Sequence, residues 1–404
     1  MKRKFDIVVV GAGINGQVMS LAAAHHGFSV ALIDQKKIIE DTLRKFDGRA
    51  YAIAFSSVQM LKNLDLWDKI SKTAQPVLNI KVSHGNLERG PYSSSITFKN
   101  ADIEESPMAH MVEDRYLRQC LNSEINKNNL VDVLEQKEVI QIIDYNNKKQ
   151  LMLNDSSKIQ TSLVVASDGI KSPITKAMNI KKMGWKYKQS GLVCAVQHEY
   201  CSNNTAFQYF LPEGPLAILP LQNNIASIVW TENIQNASTI GKMSNDEYLR
   251  ALHKRFGDFL GQLKLTGLRF SFPLNLSIAE KYVTNNFAVI GDAAHGYHPI
   301  AGQGLNAGLR DIAALVDVIT SARDRGEDFS SLNVLNQYQK WRRFDNQTLG
   351  FATDNFNKIF SSYNPLLSSV RNLGMKIFDK SDYAKRVFMN QAAGLNGDLP
   401  TLMR

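Results

Sequence analysis

The sequence predicts an α/β protein built from a discontinuous Rossmann-like domain, an inserted and mostly antiparallel β-sheet domain, and a C-terminal helical region. Three observations carry this. A strand, glycine turn, helix and strand open the chain between Phe5 and Asp34, and a second glycine-rich strand-to-helix run lies between Phe287 and Asp311. Most of the chain between 184 and 275 alternates in the manner of strands. If both glycine-rich runs serve one ligand, the domain that holds them is assembled from separated segments. The expected division is 1–75, 101–183 and 276–330 for that domain, 76–100 and 184–275 for the insertion, and 331–404 for the helical region.

Phe5 to Val10 is an apolar strand, and Gly11-Ala12-Gly13-Ile14-Asn15-Gly16 follows at once. Val18 to Ala24 continues as a helix, and Ser29 to Ile33 is a second strand ending at Asp34. Gly11 suits the tight turn, Gly13 the close approach of a pyrophosphate, and Gly16 the packing of helix on strand. Asp34 stands 18 positions beyond Gly16, where a carboxylate receives the ribose hydroxyls of an adenosine. Alone, a Gly-x-Gly-x-x-Gly is a weak signal. Framed by strand, helix, strand and acid it is a specific one.

Arg49 to Leu61 reads as a helix, Leu78 to Phe98 as strands and hairpins, and 111–127 as a helix. Short strands from Val131 to Leu163, split by Asn146-Asn147 and Asn154-Asp155, make a small antiparallel meander. Leu163 to Ala166 is an apolar strand ending at Ser167-Asp168-Gly169. The inserted block holds strands at Leu192–Val196, Phe207–Leu211, Leu216–Leu219 and Ile225–Thr231, with one helix near Asp246–Phe256. There is no internal repeat and no low-complexity segment.

Phe287 to Ile290 is a short buried strand that stops at Gly291-Asp292, where a carboxylate faces a cleft and could accept ribityl hydroxyls. Pro299 fixes the backbone, and Gly302, Gly304 and Gly308 remove side chains where a flat ring lies against main chain. Gln303, Leu305 and Asn306 open a helix whose first N–H groups and partial positive charge suit the anionic N1/C2 edge of a reduced flavin. The run reads as a flavin-gripping loop, and with the N-terminal fingerprint it points to FAD. The plain alternative is an ordinary glycine-rich turn.

A chain of 404 residues, 44% apolar, has ample material for a buried core. Cys120, Cys194 and Cys201 fit neither a disulfide framework nor a metal site, so inert thiols in a reducing, cytoplasmic compartment are expected. No trio of His, Cys and Asp shows metal-ligand spacing. Met1-Lys2-Arg3-Lys4 and its apolar run mimic a secretory signal, but Asp6, Asn15 and Gln17 interrupt it. No run of about 18 apolar residues suggests a transmembrane helix. Of the net charge of +9, the stretch from Lys340 to Arg404 contributes ten Lys/Arg against five Asp. With Phe351, Phe356, Phe360, Leu366, Leu367 and Phe378, this region could rest on an anionic inner membrane face or an acidic partner, or cap the fold with a solvated basic face. Nucleic acid is not expected, because no basic run is interleaved with aromatics. The oligomeric state stays open, a homo-oligomer included.

Further segments carry a resemblance. They are Asp47-Gly48-Arg49 with Ala52 and Ser56, Val112-Glu113-Asp114-Arg115, Asp168-Gly169 with Ser172, Gly184 to Gln189, and Ala206 to Leu221. Together with the two glycine-rich runs, the chain resembles the para-hydroxybenzoate-hydroxylase-like flavoprotein monooxygenases, and within them the ubiquinone-biosynthesis hydroxylases. The resemblance implies that Arg49 and Arg115 contact FAD, and that Asp168-Gly169 serve both FAD and passing NAD(P)H. It implies a polyprenyl phenol as substrate, hydroxylated with O2 through a flavin C4a-hydroperoxide under an apolar roof such as Leu216 to Leu219. The chain departs from the family pattern at Asp34, Asp114, Thr175 and Tyr209, where glutamate, asparagine, arginine and arginine are usual. Plain alternatives are a surface ion pair for Arg49 and Arg115, and an Asx turn for Asp168.

His198, His295 and His298 are the candidate proton carriers, His298 beside Pro299 standing closest to the expected ring. Histidines hydrogen-bonded to backbone are the alternative. A second functional reading is a flavin-binding, noncatalytic subunit of a membrane-associated quinone-synthesis complex. Halogenation is excluded, because tryptophans at 67, 185, 230 and 341 cannot form Trp-x-Trp-x-Ile-Pro.

Overall fold

The computed structural model describes residues 3–38, 45–86, 90–99, 107–200, 202–299, 302–360 and 381–404. The chain begins with β1 (Arg3–Val10), α1 (Ile14–His25), β2 (Val30–Asp34), β3 (Ala50–Ala54), α2 (Phe55–Asn63), α3 (Trp67–Ile70) and β4 (Gln75–Val77). It continues through β5 (Asn79–Asn86), β6 (Gly90–Lys99), β7 (Ala109–Glu113), α4 (Asp114–Lys127), β8 (Val131–Glu135), β9 (Val139–Tyr145), β10 (Lys148–Leu153) and β11 (Lys158–Ala166). Next come α5 (Pro173–Ala177), β12 (Lys182–His198), β13 (Thr205–Leu211), β14 (Gly214–Pro220), β15 (Ile225–Asn233), α6 (Ile234–Gly241), α7 (Asn245–Phe256) and β16 (Leu263–Ala279). The last elements are β17 (Val283–Thr284), β18 (Phe287–Val289), β19 (His295–Gly296), α8 (Gln303–Asp324), α9 (Leu332–Phe360) and α10 (Asp382–Ala392).

One sheet runs β17-β18-β11-β1-β2-β8, with β10 and β9 continuing antiparallel beside β11. Its central strands read as unbroken apolar runs because both faces are buried. Ile7–Val9, Val30–Ile33, Leu163–Ala166 and Phe287–Val289 are all buried. In its parallel ladder Val10 stands opposite Ile33 and Ala166, and Ala166 opposite Val289. The carboxyl ends of four strands therefore finish level. Gly11, Asp34, Ser167-Asp168 and Gly291-Asp292 follow those ends on one edge, where ligands of such sheets bind.

The second sheet, β19-β16-β12-β15-β14-β13-β5-β6, joins 79–99 to 182–279 through the parallel pairing of β5 with β13. Its alternation has a direct consequence. Leu216 and Ile218 face an apolar core with Trp230 and Tyr248, whereas Ala217 and Leu219 face a cavity shared with the first sheet. A small sheet, β3-β7-β4, lies apart.

Several local expectations fail. Residues 111–113 end β7, so the helix expected over 111–127 begins at Asp114, and Val131 to Glu135, expected in the antiparallel meander, pair parallel with β2. Residues 49–61 are not one helix: Ala50 to Ala54 pair antiparallel with Ala109 to Glu113, and only then does α2 begin. Five cross-strand pairs there outweigh the helix preference of an alanine-rich segment. α6 was not anticipated, although Asn233 caps it by accepting from the Asn236 N–H. Of the apolar residues expected to mark the basic tail, Phe351 is 58% exposed. Leu366, Leu367, Phe378, the side chains of Phe356 and Phe360, and Cys201 lie outside the described residues.

Asp311, fully buried in α8, ties these parts together. Its carboxylate accepts from the Gly291 N–H (3.1 Å), Arg342 Nε (2.9 Å) and Asn346 Nδ2 (3.0 Å), and His295 Nε2 lies 2.6 Å away. Burial raises the pKa of this carboxyl, but the charges and hydrogen bonds of His295 and Arg342 outweigh it and hold the value at about 2. Asp311→Asn leaves Arg342 buried beside a neutral amide and is expected to destabilise the fold by ~3–5 kcal/mol in urea denaturation. Because the folded pKa is depressed, the difference between wild type and variant should be full above about pH 4 and shrink as pH falls toward 2. A difference independent of pH across that window would contradict this account.

Candidate functional site

A cavity of about 1260 Å³ lies along the carboxyl edge of the first sheet, under the second. At one end its wall is the N-terminal turn. Gly11 has a φ of +103°, and a Cβ on Gly16 would fall 1.8 Å from the Gly11 carbonyl oxygen, so helix and turn close only around glycine. Among the described residues nothing lies within 4 Å of the Cβ direction of Gly13, which precedes the first N–H groups of α1. The turn leaves open space where α1's partial positive charge emerges, as an anion requires. Asp34 accepts from the Ala12 N–H (2.7 Å) and the Lys36 N–H (2.8 Å), fixing the turn from the end of β2.

Midway, Asp168 and Gly169 line the cavity. Burial raises the Asp168 carboxyl pKa against the bonds it accepts from Ser172 Oγ (2.5 Å) and the Ile174 N–H (3.3 Å). Those bonds tie Asp168 to Ser172, the N-cap of α5, so Asp168 both closes a turn and lines the cavity. Asp292 is exposed on the cavity wall, and desolvation by the protein around it raises its carboxyl pKa. Lys182 bridges the two turns: Nζ donates to the Ile170 carbonyl (3.0 Å) and reaches the Asp292 carbonyl (3.5 Å).

At the far end stand His298, Pro299 and the Gly302 to Asn306 segment. Gly302 takes the left-handed conformation (φ +62°) at the start of α8, which a side chain would strain. Asn306 spends its amide on β3, donating to the Ala52 carbonyl (2.8 Å) and accepting from the Ala54 N–H (2.9 Å). Its neighbours Gln303, Gly304 and Leu305 line the cavity beside it.

Sequence reasoning overlooked Asn15. A Cβ on Gly291 would fall 2.2 Å from its Nδ2, and one on Gly308 would fall 2.6 Å from it, so this side chain of the first glycine-rich run is wedged against two glycines of the second. A polar residue between Gly13 and Gly16 was the available signal.

Arg49 and Arg115 are not on the cavity wall. Arg49 binds Asp47 (2.7 Å) and Asp114 (3.1 Å), and Arg115 binds Glu113 (2.6 Å) and lies over the Tyr116 ring. Arg118 lines the cavity instead, held by two 2.9 Å bonds from Nε to Asp114. Its position four residues after Asp114 on α4 was legible as a helical ion pair. His198 is also displaced: it ends β12 with Nδ1 2.7 Å from the Tyr200 carbonyl, away from the cavity. Its place at the end of the strand beside the loop explains this. His295 turns to Asp311, and Tyr209 packs into the roof's other face beside Leu216.

His298 does line the cavity, with the Tyr187 ring edge-on at 5.2 Å, and among the described residues neither ring nitrogen has a hydrogen-bond partner. Burial lowers its pKa to about 4, against a small opposing effect of Asp354.

Comparison with known proteins agrees with this geometry. The family described as FAD binding domain matches residues 4–344. Ubiquinone hydroxylase UbiL of Rhodospirillum rubrum is 34% identical over 403 residues, covering 99% of this chain and 92% of its own. The 3-demethoxyubiquinol 3-hydroxylase of Escherichia coli is 32% identical, covering 96% and 98%. The solved structure of p-nitrophenol 4-monooxygenase PnpA from Pseudomonas putida superposes with a TM-score of 0.81 over 98% of this chain and 99% of its own, at 16% identity. That likeness speaks for the fold.

The His298 ring should stay uncharged through neutral pH. Its imidazole proton signals, assigned by loss in His298→Gln, are expected to titrate near 4; a midpoint near the ordinary value of about 6.5 would contradict the burial described.

Proposed function

The chain belongs to the FAD-binding-domain family, and from that membership we propose that it is a monooxygenase that hydroxylates the aromatic ring of a polyprenylated phenol in ubiquinone biosynthesis, with NAD(P)H and O2 as cosubstrates. The observation that carries the reading is the meeting of both glycine-rich turns on one cavity beneath an apolar roof. The residues present fit the cofactor: an open glycine cradle at a helix start, acids at the ends of aligned strands, and a helix start without side chains at the other end.

Gly11, Gly13, Asp34 and Arg118 would hold the adenosine and pyrophosphate end. Asp168, Gly169 and Asp292 would receive the middle, and Pro299 with Gly302 to Asn306 the ring. Bound FAD supplies the redox chemistry, accepting two electrons from NAD(P)H and delivering one atom of O2 to the phenol ring while the other leaves as water. Phe210, Ala217 and Leu219 keep water out of the reacting end. The first N–H groups of α8 favour negative charge on the bound ring system without a charged side chain. His298, held neutral, can accept a proton there.

Among the described residues no helix is long and apolar enough to cross a membrane. Phe344 and Phe351, 73% and 58% exposed on α9 within the basic C-terminal region, suit a peripheral contact with an anionic membrane face. Vesicles containing anionic lipid should co-sediment the protein, and Phe344→Ser with Phe351→Ser should reduce this; sedimentation indifferent to both changes would remove the contact from the account.

Purified protein should be yellow and consume NAD(P)H and O2 when given a prenyl phenol, yielding a product heavier by one oxygen. Colourless protein, or flavin that NAD(P)H never reduces, would refute the proposal. Asp292→Ala should weaken FAD by ~1.5–3 kcal/mol in a fluorescence titration, as for a charge-assisted hydrogen bond; unchanged affinity would show that the carboxylate does not hold the cofactor.

A further inference from the structure

The cavity does not end at the ring-binding segment. It continues between the edge of the second sheet and α10, where Ile80 and Val82 of β5 and Ile96 and Phe98 of β6 form part of its wall. Ile80 stands opposite Phe98, and Val82 opposite Ile96, so the four share one face of the sheet. Between them, Lys81 stands opposite Thr97 on the other face, Lys81 exposed and Thr97 half-buried. Phe388 of α10 closes this stretch from the other side, stacked on Phe98 at 4.9 Å and 25°.

These five side chains offer only carbon to the cavity. The polar features that suit a dinucleotide, Gly13, Asp34, Asp168 and Asp292, lie along the sheet edge elsewhere. The volume of about 1260 Å³ also exceeds the ~300–1,000 Å³ usual for one small-molecule site. A second, apolar occupant entering beside the first accounts for both facts.

We propose that this arm binds the isoprenoid tail of the substrate while the ring lies under Phe210, Ala217 and Leu219. The proposal rests on the hydroxylase reading above. Val82 and Ile80 are half-buried: each packs on one side against buried Ile96, Phe98, Met108 and Met389 and on the other lines the arm, so a larger side chain at either position narrows the arm. They are the positions at which tail length and bulk are selected.

The test uses the FAD-loaded protein, a phenol without a tail and the same phenol carrying a geranyl chain, with binding read from the absorbance change of bound flavin. In wild type the chain should tighten binding by about tenfold or more, from the burial of its carbons. Val82→Trp, which fills the arm, should abolish most of that gain and leave the tailless ring within about twofold, with flavin content and Tm unchanged. If Val82→Trp does not fold, Ile80→Gln, similar in size but polar, carries the same comparison. A tail gain that survives in the folded variant, or a tailless ring weakened equally, overturns the arm while hydroxylation stands. Failure of wild type to bind or oxidise either ring overturns the hydroxylase reading, and the arm with it.

Discussion

The site depends on one strand. β11 hydrogen-bonds to β1 on one side and β18 on the other, and the level register of these pairs puts turns about 280 residues apart in the chain on one edge. Hydrogen bonding alone would leave the turns adjacent but independent. Asn15, wedged against Gly291 and Gly308, makes each turn part of the other's wall. Asp311 then fixes the second turn from behind through the Gly291 N–H, and binds it to α9 through Arg342 and Asn346. A carboxylate so buried is stable only with those partners, which ties the shape of the ligand edge to the docking of the C-terminal helix.

The second sheet contributes by alternation. In β14 one set of side chains builds the sheet's own core and the other set roofs the cavity, so the insertion stabilises itself and shields the site with the same strand. The site acquires its polarity from strand ends and helix starts, and its dryness from this roof. That division suits chemistry whose reactive group is supplied by a cofactor: the protein needs few ionisable groups at the reacting end, and the histidine found there is uncharged.

Motifs whose chemistry is local were readable in the sequence. Gly11, Gly16 and Asp34 belong to a single βαβ unit, and Gly291-Asp292 and Gly302 to Asn306 stand at the end of one strand and the start of one helix, so spacing alone describes them. What could not be read depends on distant partners. Residues 50–54 pair with β7, a contact invisible in the local pattern, and so look helical. Arg49 and Arg115 fit a family motif, but acids at Asp47, Asp114 and Glu113 claim them, and Arg118 one turn further along α4 reaches the cavity. His198 sits at a strand end whose direction is set by the sheet. The wedge of Asn15 and the apolar arm beneath Phe388 arise between segments hundreds of residues apart, and no single stretch encodes them.

The two turns grip one molecule. Hydrogen exchange of the flavin-free protein, followed peptide by peptide as FAD is added, tests this directly. Backbone amides in 10–17 and in 289–308 should gain protection together, at the same FAD concentration and to saturation at one flavin per chain. Protection confined to one of the two segments, or appearing in them at different concentrations, would contradict the shared site.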